Sequence, residues 1–195
     1  MNRLTEDFFT RDALTVGKEL IGKYLVREID NEKIIVKITE TESYLGDVDK
    51  ACHAYGGKIT DRTKTFYLNG GTIYVYLIYG MYYCFNIVTD TINKPSAVLI
   101  RGAEPAQNIE KLSMLRYSRS YSELNAYQRK NFLNGPGKLC KALSIDKSFN
   151  EKSILSNEIY ILDNKEFDTN IIKKGKRINI DYAEEAKDFL WRFYI

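Results

Sequence analysis

The stretch that decides the fold is residues 71–86, which read GTIYVYLIYGMYYCFN. β-Branched and aromatic residues dominate it and alternate at a period of two, which predicts strands with a half-buried face. Gly80 is the only residue that breaks the pattern, so Tyr79 and Met81 are predicted to lie on a tight turn between two strands. A tyrosine beside a methionine at such a tip favours contact with a partner, although a tip packed under a loop explains the same stretch.

The composition of the whole chain limits the class of protein to which it can belong. The chain has 195 residues, of which 44% are hydrophobic and 28% charged, and this predicts one globular domain over residues 1–195. No run of 18 apolar residues occurs, so we expect no membrane span. Acidic residues stand where a signal peptide would have its apolar run, so we expect an intracellular protein. The formal net charge of +3 mildly favours an anionic partner.

Residues that could hold a metal are few and scattered. The three cysteines are Cys52, Cys84 and Cys140, no CxxC pair occurs, and His53 is the only histidine. A zinc site would therefore need ligands from distant segments, and we predict no metal and no cofactor. Unpaired thiols fit a reducing compartment.

Upstream of the central stretch, the sequence predicts a helix and a hairpin. Residues 11–21 place apolar groups on one helical face, with Thr10 as the N-cap. Residues 24–29 and 34–38 are rich in β-formers and flank Asp30-Asn31, a pair typical of turns. We therefore expect two antiparallel strands before the central stretch.

Two carboxylates follow this hairpin. Glu40 and Glu42 are two residues apart on the continuing strand, so both should point to the same face. Residues 47–65 form a long polar loop, and loops of that length are commonly functional.

Further strands and helices are predicted downstream. They are a strand at 97–100 that ends at Arg101, a helix opened by Pro105, a Gly/Pro turn at 134–138 that leads into a helix, and short strands at 159–162 and 177–180. The apolar residues 189–195 are expected to dock as a last strand or as a tail. The turn leaves backbone N–H groups free beside Lys138, which favours an anion there. Helices and strands do not alternate regularly. The sequence therefore predicts an α+β fold, with a curved antiparallel or mixed sheet, peripheral helices and a protruding β-hairpin.

Six segments form an ordered set that resembles one known family. They are ETESYLG at 40–46, His53, YVYLIYGMYYCFN at 74–86, LIRGAEP at 99–105, GPGKLC at 135–140 and WRFY at 191–194. In order and spacing they closely resemble the alkyladenine (3-methyladenine) DNA glycosylases, over nearly the whole chain. The resemblance implies a monomeric, monofunctional DNA glycosylase of base excision repair. Such an enzyme flips alkylated or deaminated purines (3-methyladenine, hypoxanthine, ethenoadenine) out of double-stranded DNA and hydrolyses the N-glycosidic bond.

The resemblance also implies catalytic and DNA-binding roles. Glu42 matches the carboxylate that activates water, with Glu40 as the competing candidate. Arg101 matches the arginine that orients this water and holds a phosphate, and an ion pair with a nearby acid is its alternative. Tyr79 matches the tyrosine that fills the gap left by the flipped base, with Met81 beside it on the tip.

Other matching residues would bind the base and the backbone. Tyr44, His53 and Tyr76 match the aromatic pocket for the flipped purine, where electron-rich rings favour a cationic base. Asn86 matches the residue that excludes the 2-amino group of normal guanine, although a buried strand asparagine could be purely structural. Phosphate contacts are expected from four basic side chains, Arg62, Lys64, Lys138 and, as a further candidate, Arg177.

Two departures from the family pattern stay open on the residues alone, and two other functions have to be weighed. Before the hairpin, Phe66-Tyr67 and residues 68–71 stand where the family has a Met-Phe pair and a proline-bearing glycine turn, which leaves the local turn geometry open. Asn179 stands where the family has a glycine, which leaves the approach of the backbone to DNA there open. A lesion-binding protein without catalysis is disfavoured by the intact Glu42 and Arg101. An RNA-binding module with tyrosines on its sheet is disfavoured because no RNP-like motif occurs.

Overall fold

The computed structural model describes residues 1–195. The eight strands are β1 (Tyr24–Ile29), β2 (Glu32–Leu45), β3 (Ile73–Ile78), β4 (Tyr82–Val88), β5 (Ser96–Gln107), β6 (Ile159–Leu162), β7 (Lys173–Gly175) and β8 (Arg192–Tyr194). The helices are α1 (Glu6–Phe9), α2 (Ala13–Glu19), α3 (Ile109–Tyr117), α4 (Ala126–Lys130) and α5 (Pro136–Ala142). Short 3₁₀ segments span Tyr55–Gly57, Lys64–Tyr67, Tyr121–Glu123, Lys147–Phe149, Thr169–Ile171 and Glu184–Asp188. The predicted α+β class is confirmed.

All eight strands belong to one sheet. Its main order is β3-β4-β5-β2-β1-β6, while β8 pairs with β2 and β7 pairs with β8. Every pairing is antiparallel, so the sheet is antiparallel rather than mixed. β2 lies at the centre because its first half pairs with β1, its second half pairs with β8, and β5 runs along its other edge. The segment of β2 that carries Glu40 and Glu42 is therefore held on both sides.

The central hairpin predicted from residues 71–86 is confirmed. β3 and β4 pair antiparallel up to Ile78 and Tyr82. Between them, Tyr79 and Gly80 have φ values of +53° and +67°, the two positive angles that a type I′ turn requires. The predicted turn at Asp30-Asn31 has the same character, with φ values of +53° and +64°. Both turns match the right-handed twist of the strands that they join.

Three local predictions are wrong. Pro105 lies inside β5 and not at a helix start, opposite Val36 at a register shift of the ladder, where the missing N–H is tolerated. The N-cap of α2 is Asp12, whose carboxylate accepts the Thr15 N–H at 2.9 Å. Residues 177–180 form no strand, because Arg177 is drawn into a buried ion pair with another segment.

The main core lies between the sheet and the helices. Thirty buried residues form one cluster, to which α2, α5 and most strands contribute. α2 lies so close to β2 that a Cβ on Gly17 would stand 2.4 Å from Ser43 Oγ, and this hydroxyl donates to Ala13 O at 2.7 Å. This contact holds the second half of β2 against α2. None of the helices is both long and apolar enough to cross a membrane.

Candidate active site

The sheet, the 53–66 loop, the start of α5 and residues 178–182 enclose a cleft of about 880 Å³. Nine of the ten site residues predicted from the sequence line it, namely Glu42, Tyr44, His53, Arg62, Tyr76, Tyr79, Asn86, Arg101 and Lys138. Met81 is the exception, and its side chain lies exposed at the hairpin tip beside the cleft. Residues separated by almost a hundred positions thus meet at one place.

Glu42 lies at the buried end of this cleft. Its exposed fraction is 1%, and three donors hold its carboxylate. Oε2 accepts from the Tyr44 hydroxyl at 2.7 Å, and Oε1 accepts from the Ile178 backbone N–H at 2.9 Å and lies 3.2 Å from Arg101 Nε. Burial raises the pKa of Glu42, while the hydrogen bonds from Tyr44 and Ile178 and the charge of Arg101 act in the opposite sense. The site therefore holds a carboxylate that is both oriented and more basic than an exposed one.

Glu40 occupies a different environment. Its Oε1 accepts from Arg192 at 2.8 Å, and its Oε2 lies 3.4 Å from Arg101 Nη1. Glu40 does not line the cleft. Arg101 therefore bridges the two carboxylates. The ion pair that was the alternative for Arg101 exists, and Arg101 also lines the cleft. Of the two competing carboxylates, only Glu42 faces the cavity.

The segment that follows β7 is fixed by a buried ion pair. Arg177 binds Asp49 through Nη1 at 2.5 Å and Nη2 at 2.7 Å, and both side chains are fully buried. Its guanidinium also lies over the Tyr44 ring, 4.6 Å from the centroid. A phosphate contact from Arg177 was wrong, because a buried, bidentate pair leaves this group unavailable to DNA. Instead, Arg177 places the neighbouring Ile178 N–H against Glu42.

Aromatic side chains form one wall of the cleft. The His53 and Tyr76 rings lie edge to face with centroids 4.7 Å apart, and Tyr74 lies 5.4 Å from Tyr76 at an interplanar angle of 31°. Phe66 packs behind Tyr74 at 4.6 Å. Rings packed in this way are rigid, so the wall offers π faces whose positions are fixed before a ligand arrives.

His53 is a neutral hydrogen-bonding group. Burial, and then the charge of Arg62, lower its pKa to about 4. Arg62 Nη2 lies 3.3 Å from Nε2, and a guanidinium can only donate, so Nε2 is the acceptor. Nδ1 therefore carries the proton and donates to the Tyr74 hydroxyl at 3.0 Å. This chain of contacts fixes both the tautomer and the plane of the imidazole.

Asn86 is 3% exposed and stands on β4 opposite Tyr74. Its Nδ2 donates to two backbone carbonyls, Tyr74 O at 3.1 Å and Cys84 O at 3.3 Å. These two bonds assign the amide nitrogen to the backbone, which turns Oδ1 the other way. The side chain is held firmly by these bonds, so Asn86 is a structural residue and also forms part of the cleft wall.

The hairpin tip is exposed and strained. Tyr79 is 72% exposed, and its backbone takes the left-handed conformation, which is unusual for a large side chain. Met81 is 66% exposed and Tyr82 is 47% exposed. The alternative in which the tip packs under a loop is therefore wrong. An apolar, aromatic projection stands at the mouth of the cleft.

Basic side chains line the opposite rim. Lys138 Nζ donates to Asn134 Oδ1 at 2.7 Å and Asn131 Oδ1 at 3.1 Å, and no carboxylate pairs with it. Burial and the nearby charges of Arg116 and Arg101 lower its pKa. Lys138 and Arg116 line the cleft without a carboxylate partner, and their charges produce a positive potential that favours an anionic ligand.

Sequence reasoning missed several residues of the cleft. Arg116 comes from α3 and Tyr182 from the 178–182 segment, and no local pattern pointed to either of them. Tyr74 could have been found, because it precedes Tyr76 by two residues and must share its face. Asn179 has φ +61°, the left-handed conformation that glycine adopts most easily and asparagine tolerates. The departure from the family glycine therefore needs no change of backbone.

Comparison with known proteins agrees with this geometry. The family model described as methylpurine-DNA glycosylase (MPG) matches residues 7–195. The chain belongs to this family and is a DNA glycosylase, a hydrolase of N-glycosidic bonds that acts in DNA repair.

Curated relatives match over at least 95% of their length. A protein of Clostridioides difficile (strain 630) is 55% identical over 201 residues, which cover 98% of this chain and 100% of the relative. One from Clostridium perfringens (strain SM101) is 55% identical and covers 99% of this chain and 95% of the relative. One from Desulfitobacterium hafniense is 48% identical and covers 100% and 96%. All three carry the printed name "Putative 3-methyladenine DNA glycosylase".

Proposed function

We propose that the protein flips a damaged purine out of duplex DNA into the cleft and releases it with a water molecule activated by Glu42. The observation that carries this proposal is the position of Glu42. It is a buried carboxylate held by three donors at the end of an aromatic cleft that opens beside the exposed Tyr79.

The proposed chemistry uses the lone pairs that remain on Glu42. A carboxylate has about four acceptor positions, and the three contacts above leave one for a water molecule. As the bond to the base breaks, positive charge develops on the sugar, and the Glu42 anion stabilises it while it accepts the proton of the water. Arg101 contacts the same oxygen, Oε1, as the Ile178 N–H and lines the cleft, where it can also meet a DNA phosphate.

Tyr79 would take the place of the flipped purine in the base stack. Extrusion of a base costs a few kcal/mol, and a side chain that stacks on the neighbouring bases offsets part of this penalty. Met81 stands on the same tip and would widen the apolar contact with the duplex. Sequence-independent contacts from Lys138 and Arg116 at the opposite rim would hold the backbone, which makes binding weaken with added salt.

The proposed substrates are alkylated and deaminated purines, which include 3-methyladenine, hypoxanthine and ethenoadenine. The π faces of Tyr76 and His53 accept any purine, and a ring-alkylated purine is cationic, which favours stacking and makes the base a good leaving group. Asn86 would exclude guanine because its rigid side chain leaves no room for the 2-amino group. We further propose a monomer of one domain, which acts inside the cell where the DNA lies.

A release assay tests the proposal. Purified protein is incubated with duplexes that carry 3-methyladenine, hypoxanthine or ethenoadenine, and the free base is quantified. Glu42→Gln keeps the shape of the side chain and should abolish release, while Glu40→Gln is the matched control on the same strand and should retain it. Binding of lesion duplexes without any release by the unmodified protein would favour a lesion-recognition protein instead.

A further inference from the structure

The geometry points to Arg62 as a specificity-determining residue that lowers the affinity of the cleft for cationic purines relative to neutral ones. This inference rests on the proposed function. In the free protein, its guanidinium occupies the place beside Tyr76 that a cationic purine takes. The inference therefore replaces the expected phosphate contact from Arg62 with a contact to the base.

The contacts of Arg62 place its charge inside the cleft. The guanidinium carbon lies 5.1 Å from the centroid of the Tyr76 ring, and Nη2 lies 3.3 Å from His53 Nε2. Arg62 joins no salt bridge, although Asp61 is its neighbour in sequence, and Asp61 pairs with Lys64 at 3.7 Å instead. An aromatic face and an imidazole, not a carboxylate, are thus the partners of this cation.

Two kinds of purine meet this cation differently. A ring-alkylated purine carries a positive charge, so it must displace the guanidinium from Tyr76 or bind against like-charge repulsion. A neutral purine such as hypoxanthine meets no repulsion, and its ring nitrogen and carbonyl acceptors suit the N–H groups of Arg62. Arg62 is exposed, so its side chain can move aside without repacking the core. It therefore lowers affinity for cationic bases relative to neutral ones.

Binding is the appropriate measurement, because charge leaves the base as the bond breaks and turnover would mix two effects. Duplexes with a 2′-fluoro sugar, which resists formation of the oxocarbenium-like state, carry 3-methyladenine as the cationic base or hypoxanthine as the neutral one, and neither base has a 2-amino group. Kd is measured at several salt concentrations for the unmodified protein, Arg62→Ala and Lys58→Ala. Lys58 is the matched control, because it carries the same charge on the same loop and does not line the cleft.

Arg62→Ala should tighten binding of the 3-methyladenine duplex relative to the hypoxanthine duplex by about three- to tenfold, the size expected from a cation–π contact. Lys58→Ala should leave this ratio unchanged. Equal weakening of both lesion duplexes and of undamaged DNA, with a salt slope smaller by about 1, would identify a phosphate contact and overturn the inference. An unchanged ratio without weakening would overturn it as well.

A second readout does not depend on DNA. His53 is the only histidine, so its imidazole signals in an NMR titration are unambiguous. Removal of the neighbouring guanidinium should raise the pKa of His53 above about 4 in Arg62→Ala, while Lys58→Ala should not change it. An unchanged pKa would show that Arg62 lies outside the cleft. Failure of the proposed function is distinguishable, since unmodified protein would then release no base from duplexes with natural sugars.

Discussion

Replacement of Tyr79 by asparagine should stabilise the protein and weaken its binding to damaged DNA. Tyr79 is 72% exposed, so little packing is lost, and its φ of +53° is one that asparagine adopts more readily than tyrosine. An Asn-Gly pair is the preferred type I′ turn. Relief of about 1 kcal/mol of strain should raise Tm by about 2–4 °C in a chain of this size.

Loss of the ring should act on binding in the opposite direction. Stacking of an aromatic side chain on a base contributes about 1–3 kcal/mol, so Kd for a lesion duplex should rise about 5- to 150-fold. Differential scanning calorimetry and fluorescence anisotropy measure the two effects. Tyr127→Asn is the control, because Tyr127 is 75% exposed and lies outside the cleft. A lower Tm together with an unchanged Kd would refute the reasoning and make the tip a structural element only.

Three further predictions concern the cleft and its support. Because burial raises the pKa of Glu42, the rate of base release should fall as the pH falls through that raised pKa. Tyr44→Phe removes a hydrogen bond that lowers this pKa, so it should move the acid limb of the pH–rate profile to higher pH. An acid limb that does not move in single-turnover pH profiles would contradict this. Lys138→Ala should weaken binding to damaged and undamaged DNA alike and reduce the salt slope by about 1. Cleavage of the DNA strand by the unmodified protein that is lost in Lys138→Ala would show that the enzyme is a lyase. Arg177→Met should lower stability by about 3–5 kcal/mol in denaturant unfolding because it leaves Asp49 buried without its partner; an unchanged midpoint would count against this.

The sequence contained enough information for the main elements of the cleft. The period-two pattern at 71–86 predicted the hairpin, and Gly80 located its turn. The two-residue spacing of Glu40 and Glu42 correctly predicted carboxylates on the same face, since both contact Arg101. Local spacing could not decide which of the two faces the cleft. That difference depends on Arg192, which pairs with Glu40 from a strand 152 residues away in sequence.

Long-range pairs account for the errors. Arg177 was expected at the surface because basic residues surround it in sequence, and only the fold brings it to the buried Asp49. The strand predicted at 177–180 failed for the same reason. Pro105 was assigned to a helix start because proline favours that position, but a register shift in the β2–β5 ladder accommodates it in a strand. These outcomes depend on contacts between distant segments, which no local pattern contains.

The central claim is that the damaged purine leaves the duplex and meets a water molecule held by Glu42. A crystal structure of Glu42→Gln bound to a duplex with a single ethenoadenine tests it most directly. We predict the lesion against Tyr76 and His53, the Tyr79 ring in the base stack, and a water molecule at about 3 Å from both the position-42 side chain and C1′ of the sugar. A lesion that stays stacked in the helix, with Tyr79 outside the duplex, would contradict the account.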